Sequence, residues 1–251
     1  MHTLKAGVDW LDGLLPEGLP LRTSTLLSGP GGSGKPLIGD SFVAAWLRAG
    51  GSVVFMSLQY PRTDFIRESL KIVTGLELSD FPGRAVFLAL DASLDGMAEP
   101  EGNVISANLV KPDVWDAAVE MARGLVPDDG PGILVFGSAL NLLLFSPTYG
   151  EAILQKMEAA LRDDKSHTHI FSVSTSAKRK QIARLETMAD NLIMTRSEQD
   201  PFRLYVQIVR MKGVPFSGEE VQVPIPPRSL IHVKEIAEHS RRRVIPQISK
   251  I

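Results

Sequence analysis

The chain contains no cysteine, few aromatic residues and no strong excess of either charge. Its 251 residues include 6% aromatic residues and carry a formal net charge of −2. The lack of cysteine excludes disulfides, thiolate metal ligands and a cysteine nucleophile. The nearly balanced charge provides no general attraction to nucleic acid or to an anionic membrane, so a partner of either kind requires a local basic patch.

Long apolar runs are missing as well. The longest mostly apolar stretch runs from Ile133 to Phe145, which is shorter than the roughly 20 residues of a membrane-spanning helix. The first residues do not show the charged and then apolar pattern of a signal peptide. We therefore expect a soluble, cytoplasmic protein with no membrane partner.

Common signatures of zinc and serine hydrolase chemistry are also absent. The sequence contains neither an H-E-x-x-H helix nor a G-x-S-x-G elbow. His167 and His169 flank the start of a predicted strand, and without cysteine they indicate a role at the strand edge rather than zinc ligation. We accordingly predict no metal ligands and no catalytic residue.

What the sequence does contain is a phosphate-binding loop at residues 29–36, GPGGSGKP. In the pattern G-x-x-x-x-G-K-[ST], glycines allow consecutive backbone N–H groups to surround a phosphate, and the lysine reaches the outer phosphates. The final hydroxyl binds magnesium. The predicted binding residues for ATP or ADP are Gly29, Gly31, Gly32, Ser33, Gly34 and Lys35.

The last position of the loop departs from the pattern. Pro36 has no hydroxyl for magnesium and no N–H for a phosphate, and its ring disfavours a helical conformation at Lys35. Because proline is tolerated in the first turn of a helix, we expect the helix predicted over 37–48 to form nonetheless. The sequence predicts a nucleotide site whose ability to hold magnesium is weakened.

Strand-like and helical segments alternate along most of the chain, which predicts an α/β fold with a central, mostly parallel sheet flanked by helices. Three closely spaced late strands predict an antiparallel extension of that sheet. The predicted strands are 23–28, 53–58, 85–90, 132–136, 169–173, 191–196, 203–210 and 219–224, and the predicted helices are 37–48, 63–74, 113–125 and 149–161.

Three further segments occur in the order found in the KaiC/RadA-like group of RecA-fold ATPases, which the chain resembles over nearly its whole length. They are GVDWLDGLL at 7–15, MADNLI at 188–193 and RMKG at 210–213. The resemblance implies a RecA-like P-loop domain over 1–235, followed by a basic C-terminal tail over 236–251. It also implies ring or filament assembly, in which Arg210 or Lys212 would point to the next subunit's nucleotide. Both side chains fit equally well as surface strand charges.

The chain departs from this group at the residues that carry out hydrolysis. Where the family has a pair of glutamates that polarise the attacking water, this sequence has Gln59 and Tyr60. Where the family has an aspartate that holds magnesium through water, this sequence has Gly137, followed by Ser138. With Pro36 included, the loop hydroxyl and both kinds of carboxylate are missing, so the chain is not expected to be an efficient ATPase.

An alignment shifted by a few residues would allow another carboxylate to replace the missing ones. Asp128 and Asp129 precede their strand, whereas open α/β sheets bind ligands at the carboxyl ends of the strands. Asp64 is most simply a charge at the N-terminus of a helix.

The favoured hypothesis is a nucleotide-binding regulatory or scaffolding protein that acts through a protein partner or as a homo-oligomer. The alternative is an active RecA-like ATPase that acts on DNA or on a protein partner. In that case the basic run Lys178-Arg179-Lys180 would contact DNA, although a solvated loop is the simpler interpretation of that run and of the nearby Arg184. A third possibility is an interaction protein with an empty loop.

Overall fold

The computed structural model describes residues 2–58, 63–224, 242 and 244–251. Within these residues it contains strands, α-helices and two short 3₁₀ turns. In chain order the strands and α-helices are β1 (Thr3–Leu4), α1 (Asp9–Leu14), β2 (Leu19–Pro20), β3 (Ser24–Gly29), α2 (Lys35–Arg48), β4 (Ser52–Ser57), α3 (Thr63–Thr74), β5 (Ala85–Leu90), β6 (Val104–Ala107), α4 (Pro112–Gly124), β7 (Ile133–Ser138), α5 (Gly150–Arg162), β8 (Thr168–Ser174), α6 (Arg179–Met188), β9 (Asn191–Gln199), β10 (Phe202–Arg210) and β11 (Val221–Gln222).

Among the described residues, the main sheet has nine strands in the order β11-β10-β9-β3-β8-β7-β4-β5-β6. The seven strands from β9 to β6 run parallel to their neighbours, and β10 and β11 extend the sheet in antiparallel pairing. The predicted fold class, including the late antiparallel extension, is confirmed. The strand that leads into the phosphate-binding loop, β3, lies inside the sheet between β8 and β9.

Helices cover both faces of this sheet, so neighbouring residues of β3 point into two different hydrophobic cores. Leu27 belongs to the core that contains Trp46 of α2 and Leu70 of α3, whereas Leu26 belongs to the core that contains residues of α4, α5 and α6. Burial on both faces explains why β3, β4 and β7 consist wholly of buried residues rather than alternating apolar and polar ones.

Helix α2 begins at Lys35, with Pro36 in its first turn. The predicted tolerance of proline at this point is confirmed, and Lys35 is helical although the ring of Pro36 disfavours that conformation. Gly34, with φ of 73°, makes the turn that precedes the helix. The sharp change of direction therefore lies before the residue that Pro36 restricts.

Five elements of the fold were not predicted from the sequence, namely β1, α1, β2, β6 and α6. The basic run was interpreted as a solvated loop, but Arg179 and Lys180 begin α6, which Ile182 and Leu185 bury against the second core. This helix has only two buried residues, so its apolar periodicity is weak. Strand β6 lies in the segment between 91 and 112, for which the sequence predicted neither a strand nor a helix.

Residues 244–248 near the end of the chain are helical, and Ile248 is fully buried in the second core. Residues 236–241 and 243 of the predicted basic tail lie outside the described residues, and the boundary at 235 remains a prediction. Among the described helices, none is long and apolar enough to cross a membrane.

A buried carboxyl group lies between α2 and α3. Asp40 is 1% exposed, and its Oδ2 accepts a hydrogen bond of 2.5 Å from the Ser69 hydroxyl. Burial raises the pKa of Asp40 to about 7, although the Ser69 hydrogen bond lowers it somewhat. The ionised form is therefore disfavoured in the folded protein.

The stability of the fold should accordingly fall as pH rises. Between about pH 4 and pH 7 the native Asp40 binds a proton that the unfolded chain has released, so the free energy of unfolding decreases across this range, by up to about 4 kcal/mol. Asp40→Asn should remove this part of the pH dependence in urea unfolding curves. Asp113→Asn, at an exposed position of α4, serves as the control, and an unchanged pH dependence in Asp40→Asn would contradict the assignment.

Candidate functional site

The predicted phosphate-binding loop lies at the carboxyl edge of the parallel sheet. Gly29 at the end of β3 pairs with Ser174 of β8, and Ser57 of β4 pairs with Ser138 of β7. The carboxyl ends of these four strands therefore meet at one edge, which is where open α/β sheets bind their ligands. Loop residues Gly31, Gly32, Ser33 and Gly34 cross this edge between β3 and α2.

The loop has the backbone shape that a phosphate cradle requires. Gly32 and Gly34 have φ of 76° and 73°, values that side-chain-bearing residues rarely adopt. Within the described residues, the amides of Gly32, Ser33 and Gly34 donate no hydrogen bond. Unpaired amides at the start of a helix are suited to an anion, so this part of the loop fits a phosphate.

The loop is held from one side by β9. The Ser33 and Thr195 hydroxyls lie 2.6 Å apart, and the Ser33 hydroxyl is also 2.7 Å from the Pro30 carbonyl. A Cβ atom at Gly29 would lie 2.2 Å from the Thr195 carbonyl oxygen. Glycine at position 29 is therefore required by the close approach of a neighbouring strand.

The lysine is folded back onto its own loop. The Lys35 ammonium group donates to the carbonyl oxygens of Gly29 and Pro30, at 2.8 and 2.7 Å, and contacts the Ser33 hydroxyl at 3.1 Å. Only 7% of Lys35 is exposed. An incoming phosphate has to replace these contacts, and their loss weakens the binding of the phosphate.

Three residues that contact the loop were missed in the sequence. The Ser176 hydroxyl accepts a 2.9 Å hydrogen bond from the Gly31 amide, Thr195 contacts Ser33, and Leu204 packs against Gly34. They follow β8 or lie on β9 and β10, more than 140 positions away in the chain. No local pattern marks them, because their role depends on strand order.

The magnesium positions of the family do not fit a metal ion here. Pro36 offers no hydroxyl, and the position of the family aspartate is Gly137. A Cβ atom at Gly137 would lie 2.5 Å from Leu140 Cδ1 and 2.8 Å from Phe171 Cδ1, so neighbouring side chains already fill that space. The described residues contain no cluster of three or more histidine, aspartate or glutamate side chains that could hold a metal.

The hydroxyl group of Ser57 lies at this edge of the sheet. Ser57 is 7% exposed, and its Oγ has no hydrogen-bond partner among the described residues. Gln59 and Tyr60, which replace the family glutamates, lie outside the described residues.

Neither Asp128 nor Asp129 lies at the loop. Both precede β7 and therefore lie toward the amino edge of the sheet, where Asp129 forms an ion pair with Arg84. A carboxylate that the sequence did not single out, that of Glu186, accepts a 2.5 Å hydrogen bond from the Ser28 hydroxyl. Ser28 immediately precedes Gly29, but its side chain is directed toward α6.

The two basic residues of the RMKG segment have partners within the same chain. Arg210 donates to the Glu186 and Ala189 carbonyls at the end of α6, and the Lys212 ammonium lies 2.8 Å from Asp190 Oδ1. Burial would raise the pKa of Asp190, but hydrogen bonds from Lys165 and Lys212 outweigh it and lower that pKa below its ordinary value. Contact with a neighbouring subunit's nucleotide remains a prediction.

The basic run is close in sequence to the loop contact Ser176. Lys178 precedes α6 with φ of 57°, and its ammonium group lies 5.3 Å from the centre of the Phe145 ring. Arg179 and Lys180 are exposed, whereas Arg184 forms ion pairs with Glu151 and Glu158. A DNA contact of this run remains a prediction.

Comparison with known proteins agrees with this architecture. A family model described as "ATPase: KaiC" matches residues 4–238. The UPF0273 protein PAE3143 of Pyrobaculum aerophilum is 24% identical over 214 residues, which are 83% of this chain and 74% of that protein. The crystal structure of the KaiC-like protein PH0186 of Pyrococcus horikoshii OT3 has a TM-score of 0.68 at 17% identity, and the match covers 90% of this chain and 95% of that chain. This structural match shows a shared fold.

The close approach at Gly29 leads to a stability prediction. Gly29→Ala should lower the free energy of unfolding by about 3 kcal/mol, because its Cβ meets backbone that cannot move without disturbing β9. Gly13→Ala is the matched control: Gly13 lies in α1, and no atom lies within 4 Å of the place that its added Cβ would take, so this change should be neutral or slightly stabilising. Urea unfolding measures both, and equal stability of the two variants would show that the β9 contact is dispensable.

Proposed function

Because the chain belongs to the KaiC family of ATPases, we propose that it binds a nucleotide at the 29–35 loop but hydrolyses ATP slowly or not at all. In this proposal the protein has a regulatory or scaffolding role, and the bound nucleotide changes its contacts with other proteins. The observation that carries the proposal is the packing of Leu140 and Phe171 into the space beside Gly137.

This packing matters because the space that an aspartate side chain would need at position 137 is occupied by neighbouring side chains rather than left empty. Phosphoryl transfer depends on charge neutralisation by a metal and on positioning of the attacking group. A single substitution at Gly137 cannot restore the aspartate without displacing two side chains. Pro36 removes the second magnesium ligand independently, so two separate changes act against the same step.

The loop supports nucleotide binding without hydrolysis. The amides of Gly32, Ser33 and Gly34 and the Lys35 ammonium supply donors and one positive charge for phosphate oxygens, and none of these contacts requires a metal. Lys35 has to leave the Gly29 and Pro30 carbonyls to reach a phosphate. We therefore expect modest affinity together with a conformational change of the loop.

The contacts of the loop supply a route by which this change could reach a partner. The Gly31 amide is hydrogen-bonded to the hydroxyl of Ser176, which lies shortly before α6. The Ser33 hydroxyl is hydrogen-bonded to the hydroxyl of Thr195 on β9. Movement of the loop toward a phosphate alters both contacts. The partner whose binding would depend on this change is another protein or a second copy of the chain.

Calorimetric titration tests the nucleotide half of the proposal. ATP and ADP should bind the wild-type protein with affinities that change by less than about twofold between magnesium and a chelator. Lys35→Ala should weaken binding by about tenfold or more, because it removes a charge-assisted hydrogen bond. Lys5→Ala, at an exposed position far from the loop in sequence, is the control and should bind like the wild type.

Variants at the magnesium positions test the hydrolytic half. Pro36→Thr restores the loop hydroxyl but leaves Gly137 unchanged, so we expect no gain of magnesium-dependent turnover. Magnesium-dependent hydrolysis by the wild-type protein would contradict the proposal and favour an active ATPase. An absence of nucleotide binding under every condition would indicate an interaction protein with an empty loop.

A further inference from the structure

A cleft lies between α4 and α5, on the opposite face of the sheet from α2 and α3. Its floor includes Val135 of β7 and Phe171 of β8, and its walls include Trp115 of α4 and Ala160 of α5. The cavity has a volume of about 430 Å³, within the range of sites that hold small molecules. Neither the phosphate-binding loop nor its contacts line this cleft.

Three charged or polar side chains form the inner end of the cleft. Arg123 Nη2 donates to Asp164 Oδ2 at 2.7 Å, and His169 Nε2 lies 3.3 Å from the same oxygen. Burial would raise the pKa of Asp164, but hydrogen bonds from His169, Ser166 and Arg123 hold it well below its ordinary value. Asp164 is thus ionised and anchors both neighbours.

This arrangement leaves two buried atoms without partners. His169 is 2% exposed, and its Nδ1 makes no hydrogen bond among the described residues; the same is true of Arg123 Nε. His169 Nε2 lies 3.3 Å from Asp164 Oδ2 and 3.5 Å from Arg123 Nη2, so whether Nδ1 donates or accepts depends on which of these two neighbours Nε2 bonds. These two residues therefore leave one unsatisfied donor, Arg123 Nε–H, and one unsatisfied ring nitrogen, His169 Nδ1. Unsatisfied groups of this kind are costly to bury unless something binds them.

The charges around the cleft select against anions. Four carboxylates line it, and only Arg123 and Lys156 oppose them with fixed positive charge. Both cations are already paired, Arg123 with Asp164 and Lys156 with Asp116. A phosphate or carboxylate ligand would therefore meet net negative charge, whereas an uncharged ligand would not.

The remaining surface is apolar and partly aromatic. Trp115 and Phe171 meet edge to face with ring centres 6.4 Å apart, and His169 meets Phe171 in the same way at 5.7 Å. Val119 and Val135 continue this surface. An apolar wall that ends at an unsatisfied N–H and an unsatisfied imidazole nitrogen is complementary to a flat ring system that carries both donors and acceptors.

We propose that the cleft between α4 and α5 binds a small uncharged heterocycle, of the class of a nucleobase, nucleoside or carboxamide ring. In the complex, Arg123 Nε–H donates to an acceptor of the ligand, and His169 Nδ1 forms a second hydrogen bond with a ring or amide group of the ligand. This site is separate from the phosphate-binding loop and does not depend on nucleotide binding there.

The test uses adenosine, uridine and nicotinamide as probes, with saturation-transfer NMR and calorimetry on the full chain. We expect at least one probe to bind saturably and to remain bound when ATP is added. AMP, which adds two negative charges to adenosine, should bind the cleft at least tenfold more weakly than adenosine does.

Three variants separate this site from any other. Ala160→Leu fills the cleft, and Arg123→Lys keeps a positive charge beside Asp164 but removes the Nε–H group; each should weaken probe binding at least tenfold. Ala152→Leu places the same side chain at an exposed position of α5 and should have no effect. Thermal unfolding of all three variants verifies that they are folded.

Two results would overturn the proposal. One is the absence of saturable binding of all three probes to the wild-type protein. The other is binding that persists unchanged in folded Ala160→Leu, since the probe would then occupy another place. A failure of Lys35-dependent ATP binding would leave these measurements unaffected, so the two proposals can be judged separately.

Discussion

The close contact between β9 and the loop at the end of β3 is the constraint on which the candidate site depends. Thr195 approaches Gly29 so nearly that no side chain fits there, and its hydroxyl bonds to Ser33 inside the loop. Because β9 pairs in parallel with β3, the sheet itself sets the position of Thr195. The shape of the cradle thus follows from the pairing of two strands as well as from its glycines.

The loop and the position of the family's metal-binding aspartate differ in what they retain. The loop keeps its glycines, its lysine and unpaired amides, which all favour an anion. Beside it, the aspartate position is a glycine whose surrounding space is filled by Leu140 and Phe171. Close packing makes this second change hard to reverse, since the interior tolerates little added volume. The phosphate-binding loop and the position of the aspartate can therefore change independently in this fold.

The two candidate sites also differ in the charge they accept. At the carboxyl edge of the sheet, Lys35 and backbone amides provide positive potential for phosphates. In the cleft between α4 and α5, carboxylates outnumber cations, and the polar atoms left without partners are the Arg123 Nε–H group and the imidazole nitrogen His169 Nδ1. The same α/β architecture presents an anion site at a strand end and an amphipathic site between helices. Each location follows from which backbone or side-chain groups the sheet leaves unpaired.

The sequence by itself determined the α/β fold, most of the longer strands and helices, the glycine-rich loop and the departures from the family pattern at Pro36 and Gly137. These features depend on local patterns, because glycine spacing and apolar periodicity act over a few residues. Only the tertiary structure decided the contacts of Ser176 and Thr195 with the loop, the folding back of Lys35, and the α4–α5 cleft. Strand order brings such residues together across more than 140 positions, and the packing of neighbouring elements determines which polar atoms stay unpaired. No short stretch of the sequence determines which distant residues come into contact or which polar atoms stay unpaired.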